Sequence, residues 1–464
     1  MEEMFRLNEN AAKEKIVFLF PWLEISGGPV YFLNLAESLS LYGEYEVYYI
    51  DYANGVAKSM AGGNSAVKWI TYEEPFKMPI KDPITLITPI YCAPHIPKLH
   101  RDSKILFINW HNYCVPALCN YWRIGKRELQ QFLLMIQETN SVAFLDKAHW
   151  LSQNSFVCPK NSYQFEEEYI PAVFTKVMKP AQIYQHRHKA ISIAVLGRIS
   201  KDKSYSIVNL AEQLDKIESS LDKNLYIIGE GSDEEYLLHQ CDNYNVKIHM
   251  EGTLRGADLE RFLQEKVDIL FGMGLSILEG AALSIPSVII PHNIYPFRMD
   301  GFTFLQDSKG YALGWYDTQC GDMGVTVHSL QEVIDLVYGE HDHSKELGYA
   351  AYRYLEKNHV SNWLSASAAI RNTRLRYKEF QRFAYGKGLI RIAGIPVGKL
   401  SSSFTEDVWS VEVLGIKRLF SCRIIGNTRE FYLMNRRLRC IHAEKIDGQY
   451  RLFVFGKKIP LIKI

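Results

Sequence analysis

Short apolar, β-prone runs alternate along this chain with stretches whose apolar residues recur every three or four positions. Residues 15–20 (Lys-Ile-Val-Phe-Leu-Phe) are almost continuously apolar, the pattern of a strand buried on both faces. Gly27-Gly28 follows, and then Phe32, Leu33, Leu35, Ala36 and Leu39 at helical spacing. Further strand-like runs stand at 47–50, 84–88, 105–108 and 141–145. That alternation predicts an open parallel sheet with helices between its strands, a first Rossmann-like domain over residues 1–173.

Residues 174–189 are polar and basic and predict a linker. The alternation then restarts. Residues 190–196 read as a strand, followed by Gly197-Arg198-Ile199-Ser200-Lys201-Asp202-Lys203 as a loop and a helix around 207–214. A strand at 225–228 leads into Gly229-Glu230-Gly231, a helix over 234–241, a strand at 247–250 and a helix through Leu259 and Phe262. Val267, Ile269, Leu270 and Phe271 end a buried strand, and Gly272-Met273-Gly274 is a glycine turn. After it, Leu275, Leu278, Ala281, Ala282 and Ile285 keep helical spacing up to Pro286, which places Glu279 in the second turn. A strand at 287–291, an irregular aromatic region to about 317, and a helical pattern over 329–384 with a long final helix complete a second Rossmann-like domain, 174–384.

From residue 385 the character changes. Leu389-Ile390-Arg391-Ile392-Ala393-Gly394-Ile395-Pro396 is echoed by Leu452-Phe453-Val454-Phe455-Gly456 with Ile459-Pro460. With turn signals at Gly426-Asn427 and Asp447-Gly448, this predicts an antiparallel β-meander of degenerate repeats over 385–464. The tail holds 15 Lys+Arg against 6 Asp+Glu, although the 464-residue chain has a formal net charge of only +1. A basic module on an acidic body points to an anionic partner, an anionic membrane face included; the alternative is a solvated basic surface. The eight cysteines are scattered with no Cys-x-x-Cys pair, which fits neither a zinc site nor a disulfide framework. The N-terminus lacks signal-peptide character and no apolar run reaches spanning length, so the expected location is the cytoplasm, with peripheral contact at the inner membrane face.

The candidate chemistry sits where the predicted strands end. A glycine turn opening a helix offers backbone N–H groups and the positive end of the helix dipole to phosphate. Arg198 and Lys203, five residues apart after a strand, suit a diphosphate: one planar fork and one point charge. Glu230, between two glycines, either faces a nucleotide or caps the following helix. Glu279 is placed to accept hydrogen bonds from ribose hydroxyls. His111, in Asn109-Trp110-His111-Asn112, either hydrogen-bonds a sugar or its leaving group or simply caps its loop. His341-Asp342-His343 reads as a solvated loop rather than a metal site. No Asp-x-Asp stands anywhere in the chain to hold a metal–nucleotide complex.

Residues 15–384 together resemble the retaining, nucleotide-sugar-dependent glycosyltransferases of the GT-B fold, two facing Rossmann-like domains. The resemblance rests on Gly27-Gly28 with its Phe-Leu-Asn-Leu-Ala helix, Gly197-Arg198…Lys203, Ile228-Gly229-Glu230-Gly231, and Phe271-Gly272-Met273-Gly274-Leu275…Glu279-Gly280-Ala281. It implies transfer of a hexose-like sugar from a nucleoside diphosphate donor to a glycan or lipid-linked glycan, as in bacterial surface-polysaccharide synthesis, with no metal, no cofactor and no nucleic-acid partner. It further implies that Arg198 and Lys203 hold the diphosphate and Glu279 the ribose. Gly272, Gly274 and Leu275 would contact the donor through backbone amides, Gly27 and Gly28 would close over it, and His111 would stand near the sugar. One position departs from the pattern: the acid expected eight residues before Glu279 is Phe271. That departure keeps open a non-catalytic GT-B protein that binds a glycan or stabilises a partner, and a nucleotide-sugar epimerase is a further alternative on the same fold.

Overall fold

The computed structural model describes residues 13–384 except 25, 42–44, 62–64, 123, 125, 158–163, 177–189, 300 and 340, and the backbone of eight strands between 389 and 458. The chain divides into two compact units: residues 1–108, 113–142 and 369–464 form one, and residues 109–112 and 143–368 the other.

The first sheet is built from β1 (Glu14–Leu19), β2 (Tyr45–Asp51), β3 (Lys68–Thr71), β4 (Thr85–Pro89), β5 (Lys104–Asn109) and β6 (Val142–Phe144), with α1 (Gly27–Leu41), α2 (Val56–Met60), α3 (Cys114–Trp122) and α4 (Lys126–Glu138) along the chain. Its strand order is β3-β2-β1-β4-β5-β6, with β1 parallel to both β2 and β4. Ile16 to Leu19 and all of β4 are buried, the continuous apolar signature of strands covered on both faces. Strand β3 escaped the sequence pattern because its four residues are exposed or half-buried at the sheet edge.

The second unit holds α5 (Lys147–Val157), β7 (Ala190–Leu196), α6 (Lys201–Lys216), β8 (Asp222–Ile228), α7 (Glu234–Cys241), β9 (Lys247–Gly252), α8 (Gly256–Lys266), β10 (Ile269–Gly272), α9 (Ile277–Ala282), β11 (Ser287–Ile289), β12 (Thr303–Phe304), α10 (Cys320–Met323), α11 (Leu330–Tyr338) and α12 (Ser344–His359), and α13 (Trp363–Asn372) follows. The order is β12-β11-β10-β7-β8-β9; β7 to β11 are parallel and β12 is antiparallel. Each of the two sheets thus places its first and fourth strands side by side, the doubly wound Rossmann-like order. The α/β class expected from the alternation is present, with two such sheets.

Alternation along the strands sorts the second core into two layers. Ile193 and Val195 of β7 with Ile269 and Phe271 of β10 face Ile207, Leu210, Leu237, Val333 and Val337. Ala194 of β7 and Leu270 of β10 face Leu259, Leu263 and Ile285 on the other side. Phe271 is fully buried and meets Phe302 edge-on at 5.3 Å.

Three sequence expectations are corrected. Helix α6 begins at Lys201, not near 207, because its first buried positions are Ser204 and Ser206, which carry no hydrophobic signal. Glu279 lies in the first turn of α9, since residues 274–276 form a 3-10 turn and the α-helix runs only from Ile277 to Ala282. The single long helix expected at the end is instead α13 followed by α14 (Tyr377–Ala384). Through α14 the chain returns to the first unit, where Phe380 and Phe383 pack around Trp122 and Phe132.

Beyond α14, eight strands from Leu389–Ile392 to Lys457–Lys458 follow one another in an antiparallel sheet in chain order. The turn pairs Gly426-Asn427 and Asp447-Gly448 lie outside the described residues, as do residues 177–189 of the expected linker.

Candidate functional site

Open parallel sheets bind ligands beyond the carboxyl ends of their strands, where neighbouring connections diverge to opposite faces. In the second sheet that point lies between β7 and β10. The loop after β7 is shaped by a backbone clasp: the Gly197 N–H donates to the Ile228 carbonyl and the Ile199 N–H to the Glu230 carbonyl, both at 3.0 Å. The clasp needs glycines. A Cβ on Gly229 would sit 2.1 Å from the Gly197 carbonyl oxygen, and its φ of +144° is one that L side chains rarely adopt. A Cβ on Gly231 would lie 1.8 Å from the Ile199 oxygen. The Gly229-Glu230-Gly231 turn thus holds the Arg198 loop.

Lys203 belongs to the first turn of α6, where it reaches back over the loop. A Cβ on Gly197 would stand 2.9 Å from the Lys203 Nζ and 3.9 Å from the Ser276 Oγ, so the bare glycine leaves room for the ammonium. Burial lowers the Lys203 pKa from its ordinary value, Asp202 opposes that shift, and the Arg198 charge adds to it. Asp202 shows the converse balance. Burial works against its carboxylate, but the Ser200 hydroxyl hydrogen bond at 2.5 Å and the Lys203 charge hold its pKa below the usual range. Arg198 is exposed next to them.

His111 belongs to the same unit. Its loop is pinned by Gln153, a fully buried residue whose side-chain amide donates to the His111 and Asn112 carbonyls at 3.3 and 2.7 Å. The residue as a whole is exposed, while desolvation of the imidazole by the surrounding protein, with His149 adding to it and Asp202 opposing, pushes its pKa down. His149 stands on α5 with its Nδ1 2.6 Å from the Asp146 carboxylate, which also accepts the His149 backbone N–H at 3.0 Å. A carboxylate only accepts, so Nδ1 carries the hydrogen.

The sequence reading did not find His149, Asp202, His292 or Tyr316. His292 follows β11, and burial holds its imidazole at about 4; Asp202 opposes the shift, and Lys203, His149 and His111 add to it. Its ring lies 4.8 Å from that of Tyr316, whose hydroxyl is hydrogen-bonded by the Asn112 side chain. These residues come from four separate segments, and no short-range pattern in the sequence joins them.

The remaining expected residues fall as follows. Gly27 and Gly28 open α1 in the first unit; Gly27 is exposed, and a Cβ there would meet nothing within 4 Å. Glu230 is exposed, and its carboxylate accepts the Thr253 N–H at 3.3 Å; Glu234 is the residue that reaches back to the Gly231 N–H, at 2.8 Å. Gly272 ends β10, and Leu275 lies in the 3-10 turn. The Gly274 N–H donates to the Leu313 carbonyl at 2.6 Å, where an open amide was expected. Glu279 pairs with Lys176 at 2.6 Å. Phe271, the position where the resemblance leads one to expect an acid, is sealed in the core. His343 stands at the N-cap position of α12 without a side-chain capping bond and lies 3.8 Å from Glu346. Among the described residues, no helix is long and apolar enough to cross a membrane.

No protein-family model and no curated protein sequence matches the chain. Among solved structures it is similar to the apo form of the lipopolysaccharide outer core galactosyltransferase WaaB, at 10% identity and a TM-score of 0.46, over 78% of this chain and 100% of that one. A glycosyltransferase from Rickettsia africae ESF-5 gives 11% and 0.46, over 81% and 100% of the two chains. Anabaena Alr3699/HepE, in complex with UDP-glucose, gives 11% and 0.47, over 76% and 98%. Likenesses this distant assign no function, which has to be sought in the side chains themselves.

Proposed function

We propose that this protein is a retaining glycosyltransferase that moves a sugar from a nucleoside diphosphate donor to a glycan or lipid-linked glycan. The observation that carries the reading is the cationic seat at the switch point: Lys203 Nζ over Gly197, with Arg198 on the same loop. As the bond between sugar and diphosphate breaks, negative charge grows on the departing oxygen. Cations already fixed at that place stabilise it without reorganising. Arg198 offers a planar fork and Lys203 a compact charge, so the two bind a diphosphate in different ways. In this reading the side-chain cations, rather than a metal, balance the leaving group. Glu279 shares its carboxylate between Lys176 and the ribose hydroxyls, and His111 meets the sugar. The basic tail draws an anionic acceptor or membrane face towards the enzyme.

The reading is tested with Arg198→Ala and Lys203→Ala, after a thermal-shift screen of nucleotide sugars has named the donor. Each variant should lose on the order of a hundred-fold in kcat/KM, the scale of losing one electrostatic contact to a developing charge. Undiminished transfer by both would overturn the assignment. The anomeric configuration of the product, read by NMR, decides retention.

One observation favours a second reading. With Phe271 buried against Phe302, that position cannot present a polar group to a ligand. A GT-B protein that binds a nucleotide sugar without turning it over would have no need of one there. Binding without transfer or hydrolysis across a panel of acceptors would select this alternative.

A further inference from the structure

We propose that His292 is a third anion contact of the diphosphate seat, one that takes up a proton from solvent when the diphosphate binds. The proposal rests on the diphosphate reading of Arg198 and Lys203 and adds a residue from a separate strand end.

His292 lies just past Ile290 and Pro291 at the end of β11, the neighbour of β10 on the side away from β7, and the Ser206 hydroxyl of α6 donates to the Pro291 carbonyl at 2.7 Å, which ties this loop to the helix that carries Lys203. Its backbone is fixed on both sides: its N–H donates to the Trp315 carbonyl at 3.1 Å, and its carbonyl accepts the Asp317 N–H at 3.2 Å. Its ring leans on Tyr316, which is itself held by Asn112. The orientation of the imidazole is therefore set before any ligand arrives. Its Nδ1 is buried and, among the described residues, has no hydrogen-bond partner. The Oδ1 of Asn112 is in the same condition. Buried polar atoms are normally paired, and the unpaired imidazole nitrogen, a donor once protonated, marks a place that an anion can complete; the Asn112 Oδ1 only accepts and does not contribute to that contact.

The charged and titratable groups around the ring are Asp202 and Lys203 from α6, His149 from α5, His111 from its loop, and Tyr316 and Asp317 from the strand-like segment alongside. Without a ligand, burial and the nearby cation keep the imidazole neutral at ordinary pH. A diphosphate brings more than one negative charge to the same place, cancels the Lys203 charge and adds an attraction, which favours imidazolium. Arg198, Lys203 and His292 then approach the anion from two loops and one helix end.

Inorganic pyrophosphate serves as the probe, because it needs neither the base nor the sugar to be known. Its affinity is measured calorimetrically for the wild-type chain and for His292→Gln and His292→Asn, at about pH 5.5 and about pH 8, with melting temperatures recorded alongside. If binding returns His292 to its ordinary value of about 6.5, the wild type gains about ten-fold over each variant at the lower pH and almost nothing at the higher one. Protonation of pyrophosphate itself is common to all three proteins and cancels in the ratio. A loss equal at both pH values would make His292 a packing residue, and no loss at either would remove it from the site; both outcomes overturn the proposal. Failure of the wild type to bind pyrophosphate at all would instead overturn the diphosphate reading, and this inference with it.

Discussion

Phe271 carries the strongest constraint on the chemistry of this site at the scale of a single residue. Its ring is fully buried between strand and aromatic loop, in edge-on contact with Phe302. Phe271→Ala is expected to lower stability by about 3–5 kcal/mol, from lost burial and the cavity left behind. Urea denaturation followed by circular dichroism measures it. Phe271→Glu should be at least as damaging and bring no gain in activity, because a carboxylate there would be desolvated in the core rather than presented to ligand. A stable and more active Phe271→Glu would show that the end of β10 is free to turn over. His292 makes the complementary point: it is unremarkable in the sequence, and its place beside Lys203 depends on contacts across some ninety positions.

At the scale of elements, the seat depends on two loops pressed together. The Gly229 backbone lies so close to the Gly197 carbonyl that Gly229→Ala has both a forbidden φ and a steric overlap to relieve. Backbone strain of this kind is worth about 1–3 kcal/mol. The expected result is a lower melting temperature together with weaker pyrophosphate binding, since the loop carrying Arg198 is displaced. An unchanged melting temperature would mean the clasp yields without strain. Much of this level was legible beforehand. The strands β7, β8 and β10, helix α7 and the glycine turns stand within a few residues of where periodicity put them, because strands buried on both faces leave long apolar runs. The start of α6 was not legible. Its inner face opens with Ser204 and Ser206, whose hydroxyls bond to the Ser200 and Pro291 carbonyls, and such a face carries no hydrophobic period. Reading Lys203 as a loop residue followed from that.

For the molecule as a whole, histidine burial sets a pH dependence. His359 is fully buried, its Nδ1 2.9 Å from the Ala172 carbonyl. Burial holds it at about 4 in spite of that carbonyl, which pulls the other way. Its folded value lies below the unfolded value of about 6.5, so protons bind preferentially to the unfolded chain. The stability it contributes is therefore present above about pH 6.5 and is lost as pH falls towards 4, about 3 kcal/mol in all for this residue. His95 and His292 are depressed in the same direction, also by burial. Asp51 and Glu168, raised by burial, act in the opposite sense, but from the ordinary carboxylate range and so over lower pH. Denaturation midpoints should fall between about pH 6.5 and 5, and the fall should shrink in His359→Asn; a flat profile there would contradict the neutral buried imidazole.

The amino-acid sequence determined by itself whatever depends on near neighbours along the chain. Apolar runs and glycine turns were enough to specify two doubly wound sheets, the Arg198–Lys203 pair and the strand ends where ligands collect. Tertiary structure alone decided which side chains share that space. It drew His111, His149, Asp202, His292 and Tyr316 into one electrostatic neighbourhood, paired Glu279 with Lys176, and turned Phe271 into the core. The physical reason is range: hydrophobic period and turn chemistry act over a few residues, whereas burial, ion pairing and imidazole charge depend on segments that meet only when the sheet closes its order.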